Sequence, residues 1–157
     1  MPKKKQDADL VDEFIIERYK YILNEIHSLN DNFHKFLSVF QTLATGIIGG
    51  AVAFLATWKS MNLTASTAIS ILRSLEGLLI LLSVFILLSL LAGMFSWFDY
   101  RKEETELLNK VVEPNFRKPP KWRNLWRWIE TYLILFLIIF VVLVSVYLET
   151  QIIPSIK

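Results

Sequence analysis

Three runs along the chain lose their charged positions. Phe36 to Trp58 carries no charge, Gly77 to Phe98 carries none, and Ile129 to Leu148 carries only Glu130, near its start. Each is about 20 residues long, enough for a helix rising 1.5 Å per residue to cross the ~30 Å hydrocarbon core of a bilayer. A helix in the core of a soluble protein keeps charges on its solvent face, and these runs do not. The pattern predicts an all-α integral membrane protein with three transmembrane helices, over 36–58, 66–98 and 129–149.

The polar segment ahead of the first run carries the same periodicity as the run itself. Ile22, Ile26, Leu29, Phe33, Phe36, Phe40, Leu43, Ile47, Gly50 and Phe54 follow in alternating steps of four and three, a heptad seam. The seam keeps its phase across the border from charged to apolar sequence. It predicts one unbroken helix from about Leu10 to Trp58, with 1–35 as a cytoplasmic helix continuous with the first span. The seam suits packing within the chain and packing between copies equally well. Two rows of small residues lie in the span, Thr42, Gly46, Gly50 and Thr45, Gly49, Ala53. Lipid gives no hydrophobic drive between helices, so such rows mark a face for close helix packing.

A polar stripe occupies the other side: Lys20, Asn24, His27, Asp31, His34, Ser38, Gln41 and Thr45. In water it is the outer face of a packed helix. His27, Asp31 and His34 at i, i+4 and i+7 are types that bind divalent metals, but one helix does not close a site. No metal and no cofactor is assigned. Gln41 lies inside the span, where an amide is costly unless paired. It is expected to face another helix, a wet cavity or the interface. In the second span Arg73 and Glu76 are expected to form a local ion pair at the outer end, or a charged mouth.

Beyond Phe98, "DYRKEETELLNKVV" has no helix breaker before Pro114 and carries a stripe of Leu107, Leu108, Val111 and Val112. Pro119 and Pro120 then break the chain. "KWRNLWRWIE" places Trp122, Leu125, Trp126 and Ile129 on one helical face and Arg123 and Arg127 on another. With Trp128 this reads as an interfacial helix leading into the third span, so 99–128 is a cytoplasmic and interfacial segment.

Charge sets the orientation. Six Lys and Arg precede the first span and eight lie between the second and third, fourteen of the 17 in the chain. By the positive-inside rule the N-terminus and second loop are cytoplasmic and the C-terminus lies outside, as in a multi-pass protein of the inner membrane. The first run begins some 35 residues in, behind charged sequence, and is not expected to be a secretory signal. The basic tip "MPKKK" reads as a disordered, solvated end.

Composition removes several chemistries. The chain has 157 residues, 54% hydrophobic, and no cysteine, so disulfides, thiolate metal sites and cysteine nucleophiles are excluded. A net charge of +2 implies no nucleic-acid partner. No phosphate loop, His-Glu metal pair or Ser-His-Asp set is present, and the expectation is no enzyme. Broken helices and internal repeats, the marks of a self-contained transporter, are absent as well. The partners expected are membrane lipid and either further copies of the chain or a membrane or cytoplasmic partner protein.

The stretches "ERYKYILNEIH", "QTLATG", "SWFDYRKEE" and "FRKPPK", in that order, resemble a group of small bacterial three-span membrane proteins of unassigned role. More loosely, a long cytoplasmic helix followed by close-packed spans is similar to the membrane-spanning effectors of antiphage defence systems. That likeness implies an oligomer that perturbs the inner membrane when signalled. The function expected is an oligomeric effector or pore answering a cytoplasmic signal or partner. The alternative is a non-catalytic accessory subunit that docks a partner through its cytoplasmic helices.

Overall fold

A computed structural model describes residues 2–156, with side chains described from Leu10 to Ile156 apart from Trp122, Leu125 and Arg127. Three long helices carry the chain: α1 (Pro2–Thr57), α2 (Ala65–Val111) and α3 (Ile129–Tyr147). All three are long and apolar enough to cross a membrane. α1 starts at Pro2, which suits the first turn because proline has no amide hydrogen to leave unpaired there. The expected disordered tip is therefore helical from Pro2. α1 ends in the turn Lys59–Asn62, where Asn62 takes a positive φ of 53°. Thr64 then caps α2: its side-chain oxygen accepts the Thr67 amide at 3.3 Å and its carbonyl accepts the Ala68 amide at 3.0 Å.

Two compact units share these helices. The first comprises the chain up to Phe33 and Ala92–Leu125. In it α1 and α2 run antiparallel: Arg18 donates to Glu103 at 2.8 Å, and the Tyr21 and Tyr100 rings meet edge-on at 6.4 Å. Ile22, Ile26, Phe98, Glu104 and Thr105 are buried in it.

The second unit comprises His34–Leu91 and the chain from Trp126 onward. Phe40, Ala44, Leu79, Ile86, Leu90 and Leu137 are buried in it. Ser83 is buried too, and its hydroxyl is satisfied by the Leu79 carbonyl at 2.7 Å. At one end Trp58, Ala68, Leu72 and Ile156 form a cluster, flanked by Phe54, Leu55, Leu148 and Ile152. Much of the exterior of this unit is apolar. Val52, Leu81, Phe85, Leu88, Phe136 and Leu143 are all more than half exposed. Soluble monomers rarely show so much contiguous apolar surface, and a lipid-facing exterior requires it.

The packed stripe of α1 keeps eight of the ten predicted seam positions buried or half-buried and departs from the heptad at Leu43 and Gly50. Ile22, Phe33, Ala44 and Leu55 follow at steps of eleven, and all are buried or half-buried. Leu43, a member of the predicted seam, is 48% exposed, while its neighbour Ala44 is 5% exposed. Gly50 is exposed, and Ala51 takes its place in the packing. An eleven-residue step gives 3.67 residues per turn, close to the 3.6 of an unstrained helix.

Candidate functional site

Three polar features stand out against the apolar helices. The first is the open face of α1. Ser38, Gln41, Thr42, Thr45, Gly46, Gly49, Gly50 and Ala53 are all exposed, while Phe40, Ala44 and Trp58 on the other side are buried. A Cβ built on Gly46, Gly49 or Gly50 meets nothing within 4 Å. The glycines therefore do not bring α1 close to α2 or α3, and any close packing on this face is with something outside the chain. Thr42 satisfies its hydroxyl on the Ser38 carbonyl at 2.9 Å. Gln41 is exposed, and among the described residues no side chain answers its amide.

The polar stripe continues along α1 away from the apolar run. His27 and Asp31 face each other at 3.7 Å and both are exposed. His34 is exposed as well. Among the described residues no group of three His, Cys, Asp or Glu gathers as metal ligands would.

The second feature corrects the expected Arg73–Glu76 pair. Arg73 instead donates from two nitrogens to the two oxygens of Glu149, at 3.1 and 3.2 Å. Glu149 lies in a π-helical turn, Leu148–Ile152, that follows α3. The wider turn carries Leu148 and Ile152 against the Trp58 cluster while Glu149 reaches Arg73. Both side chains are about half exposed, at 57% and 44%. An exposed pair stabilises by at most about 1 kcal/mol. Arg73→Gln is therefore expected to shift the melting midpoint by no more than a few degrees, and Glu149→Gln to match it. A large loss from Arg73→Gln alone would show that Glu149 is not its main partner.

The third feature is absent from the sequence reading. Glu104 is 1% exposed, yet it is a carboxylate. Arg101, one turn earlier, donates to its Oε2 at 2.7 Å, and Arg117 donates to its Oε1 at 2.6 Å. Arg117 is itself strapped to α2. The Asn109 amide donates to the Arg117 carbonyl at 3.0 Å, and its oxygen accepts the Arg117 amide at 2.8 Å. Thr105 donates to the Arg101 carbonyl at 2.9 Å. The Arg101 guanidinium lies over the Trp97 ring, 5.3 Å from its centre. Asn115, in the loop this clasp closes, has a φ of 69°, which asparagine tolerates better than most residues. The signal in the sequence was phase. Carrying the buried positions Leu79, Ser83, Ile86 and Leu90 forward by steps of three and four reaches Trp97, Arg101 and Glu104, so a carboxylate falls where an apolar residue is due.

The expected interfacial helix is a short 3-10 segment, Trp122–Arg127, and it does not run on into the third span. Trp128 is extended, with φ −95° and ψ 135°, and α3 begins afresh at Ile129. Trp126 is 69% exposed, Arg123 is exposed and Trp128 is half-buried. Tyr132 donates to the Trp126 carbonyl at 2.8 Å and ties the segment to α3. The side chains of Trp122 and Arg127 lie outside the described residues.

Among the described residues, helices alone make up the regular structure, and three of them are suited to crossing a bilayer, which suggests a multi-pass membrane protein. Compared with protein-family models, curated proteins and solved structures, the chain matches none.

Proposed function

We propose that this chain is a small inner-membrane protein that assembles with further copies of itself through the open face of α1. It acts as a non-catalytic membrane effector or pore when a cytoplasmic signal or partner engages its polar helices, as the likeness to antiphage effectors implies. In this reading the N-terminus and second loop are cytoplasmic and the C-terminus lies outside.

The observation that supports the reading is the row Ser38, Thr42, Thr45, Gly49 and Ala53, with Gln41 beside it, exposed on the side of α1 opposite the packed stripe. This row offers hydroxyls, an amide and small residues where lipid favours bulky apolar side chains. It fits a close helical neighbour, and a ring of such faces would gather polar groups about an axis.

A second reading is an accessory subunit that docks a protein in the cytoplasm. Leu10, Val11, Phe14 and Ile16 support it, each more than half exposed. Phe14 lies twenty-two residues ahead of Phe36, outside the first apolar run, so lipid around that run does not account for these exposed side chains.

Reporter fusions after Val112 and after Lys157 test the topology, with a cytoplasmic signal expected from the first and none from the second. The purified chain is then sized in detergent, cross-linked, and reconstituted into dye-loaded vesicles. Oligomers with dye release, alone or on adding the cytoplasmic partner, fit the effector. A monomer that leaves vesicles tight and co-purifies with a soluble protein fits the accessory subunit.

A further inference from the structure

We infer that Arg101 and Arg117, held side by side on the buried Glu104 carboxylate, form a binding site for a phosphate group just beyond Phe98, where the second apolar run ends. The two guanidiniums take separate oxygens of one carboxylate. Both charged groups therefore lie against the same carboxylate, where a single tetrahedral anion is proposed to bridge them. One negative charge between two positive ones leaves the cluster net positive. Glu103, next to Glu104 in the chain, is engaged by Arg18.

The donor inventory points the same way. A guanidinium has five N–H donors. Among the described residues each of these arginines spends one of them, on Glu104. Among the described residues the rest meet no acceptor, and with the Arg101 side chain 26% exposed and that of Arg117 44% exposed they are open to an anion from outside. Donors left open in this way can take the oxygens of an anion. Fixed arginine forks match the oxygens of a phosphate better than flexible ammonium groups do. Trp97 covers one face of the Arg101 guanidinium, which leaves its edges to donate.

Burying Glu104 is explained by the same role. An apolar side chain of similar size often stabilises a fold more than a buried ion pair does. What the carboxylate adds is orientation, since it holds two guanidiniums in place before the ligand arrives. The strap from Asn109 to the Arg117 backbone fixes the second of them. Arg101 lies three residues past Phe98, about 4.5 Å along α2. On the reading of 66–98 as a span, this is the level of lipid headgroups. The phosphate belongs either to an anionic lipid or to a free phosphate compound.

The full chain in a phosphate-free sugar detergent separates these sources. It is titrated with dioctanoyl phosphatidylglycerol, with phosphate-free dioctanoylglycerol and with inorganic phosphate, and the melting midpoint is followed. A saturable rise with the phospholipid and none with dioctanoylglycerol is expected. A matching rise with inorganic phosphate assigns the site to free phosphate, and its absence assigns it to the headgroup. Arg117→Gln and Arg101→Gln should each weaken binding tenfold or more, the loss of a charge-assisted contact. Arg117→Lys keeps the charge and the ion pair without the fork and should fall between, which keeps the test open if a glutamine variant folds poorly. Lys118→Gln, exposed next door, should change affinity by less than about twofold, the scale of a surface charge. Three results would overturn the site: no saturable response, an equal response to dioctanoylglycerol, or a Lys118→Gln loss equal to that of Arg117→Gln.

Discussion

Truncating Glu104 to alanine is expected to destabilise the chain by about 2–3 kcal/mol, read as a lower melting midpoint of the detergent-solubilised protein. Removing one partner of a fully buried ion pair typically costs about 3–5 kcal/mol, because the other charge is left unanswered. The loss is smaller here because Arg117 keeps 44% of its side-chain surface and can turn to water. Glu104→Gln keeps the shape and one good acceptor, and it should cost less. Glu106, two residues on, is the control. It is 69% exposed and meets Lys102 only at 4.0 Å, so Glu106→Ala should stay within about 0.5 kcal/mol of wild type. The clasp also predicts where the damage appears. Arg117 closes the loop after α2 onto Glu104, so protease cutting between Val112 and Lys121 should rise in Glu104→Ala and not in Glu106→Ala. Equal melting and equal cutting of the two variants would mean that the clasp holds nothing.

Leucine at Gly49 is expected to abolish self-association and leave the fold of the single chain intact. A Cβ at Gly49 meets open space, so the added bulk strains no neighbour, and replacing a mid-helix glycine favours the helix by up to about 1 kcal/mol. Insertion into a bilayer is unharmed as well, since leucine suits lipid. Two copies meeting through this face would be pushed apart, because packing rather than hydrophobicity drives association in lipid. Gly50→Leu, at the edge of the face, should weaken assembly less, and Gly49→Ala should resemble wild type. Ala44→Leu supplies the opposite pattern. Ala44 is 5% exposed on the packed side of α1, and overpacking there costs about 1–3 kcal/mol of chain stability. Cross-linking and melting measured together separate the two faces. If Gly49→Leu assembled as wild type does, the face would be lipid-exposed and the self-association reading would fail.

Much of the architecture was legible because it depends on local properties. A run without charges has a length, and length against bilayer thickness predicts a span. The predicted end of the first span at Trp58 and start of the second at Ser66 lie within a residue of the helix ends at Thr57 and Ala65. The predicted start of the third at 129 matches α3. The prolines after α2 act over a few residues, so the chain states them directly. The segment Trp122–Arg127 was harder to read. Its tryptophans and arginines fit a helical face, but the extended backbone at Trp128 separates it from α3.

What tertiary structure alone decided are the partners and the faces. Arg73 had a carboxylate three residues away and chose one 76 residues away, because the π-helical turn after α3 brings Glu149 to it. Glu104 looked like one charge among many in "RKEETE", and only the rotation of α2 placed it inward under two arginines. The heptad count put Gly50 on the packed seam, and the true twist of a 56-residue helix turned it out and Ala51 in. By itself the sequence determined that there are three apolar helices and placed the ends at Thr57, Ala65 and Ile129 to within a residue, since those follow from composition and local geometry. Which side of each helix meets a neighbour depends on rotation about its axis, and no residue settles that until the other helices are in place.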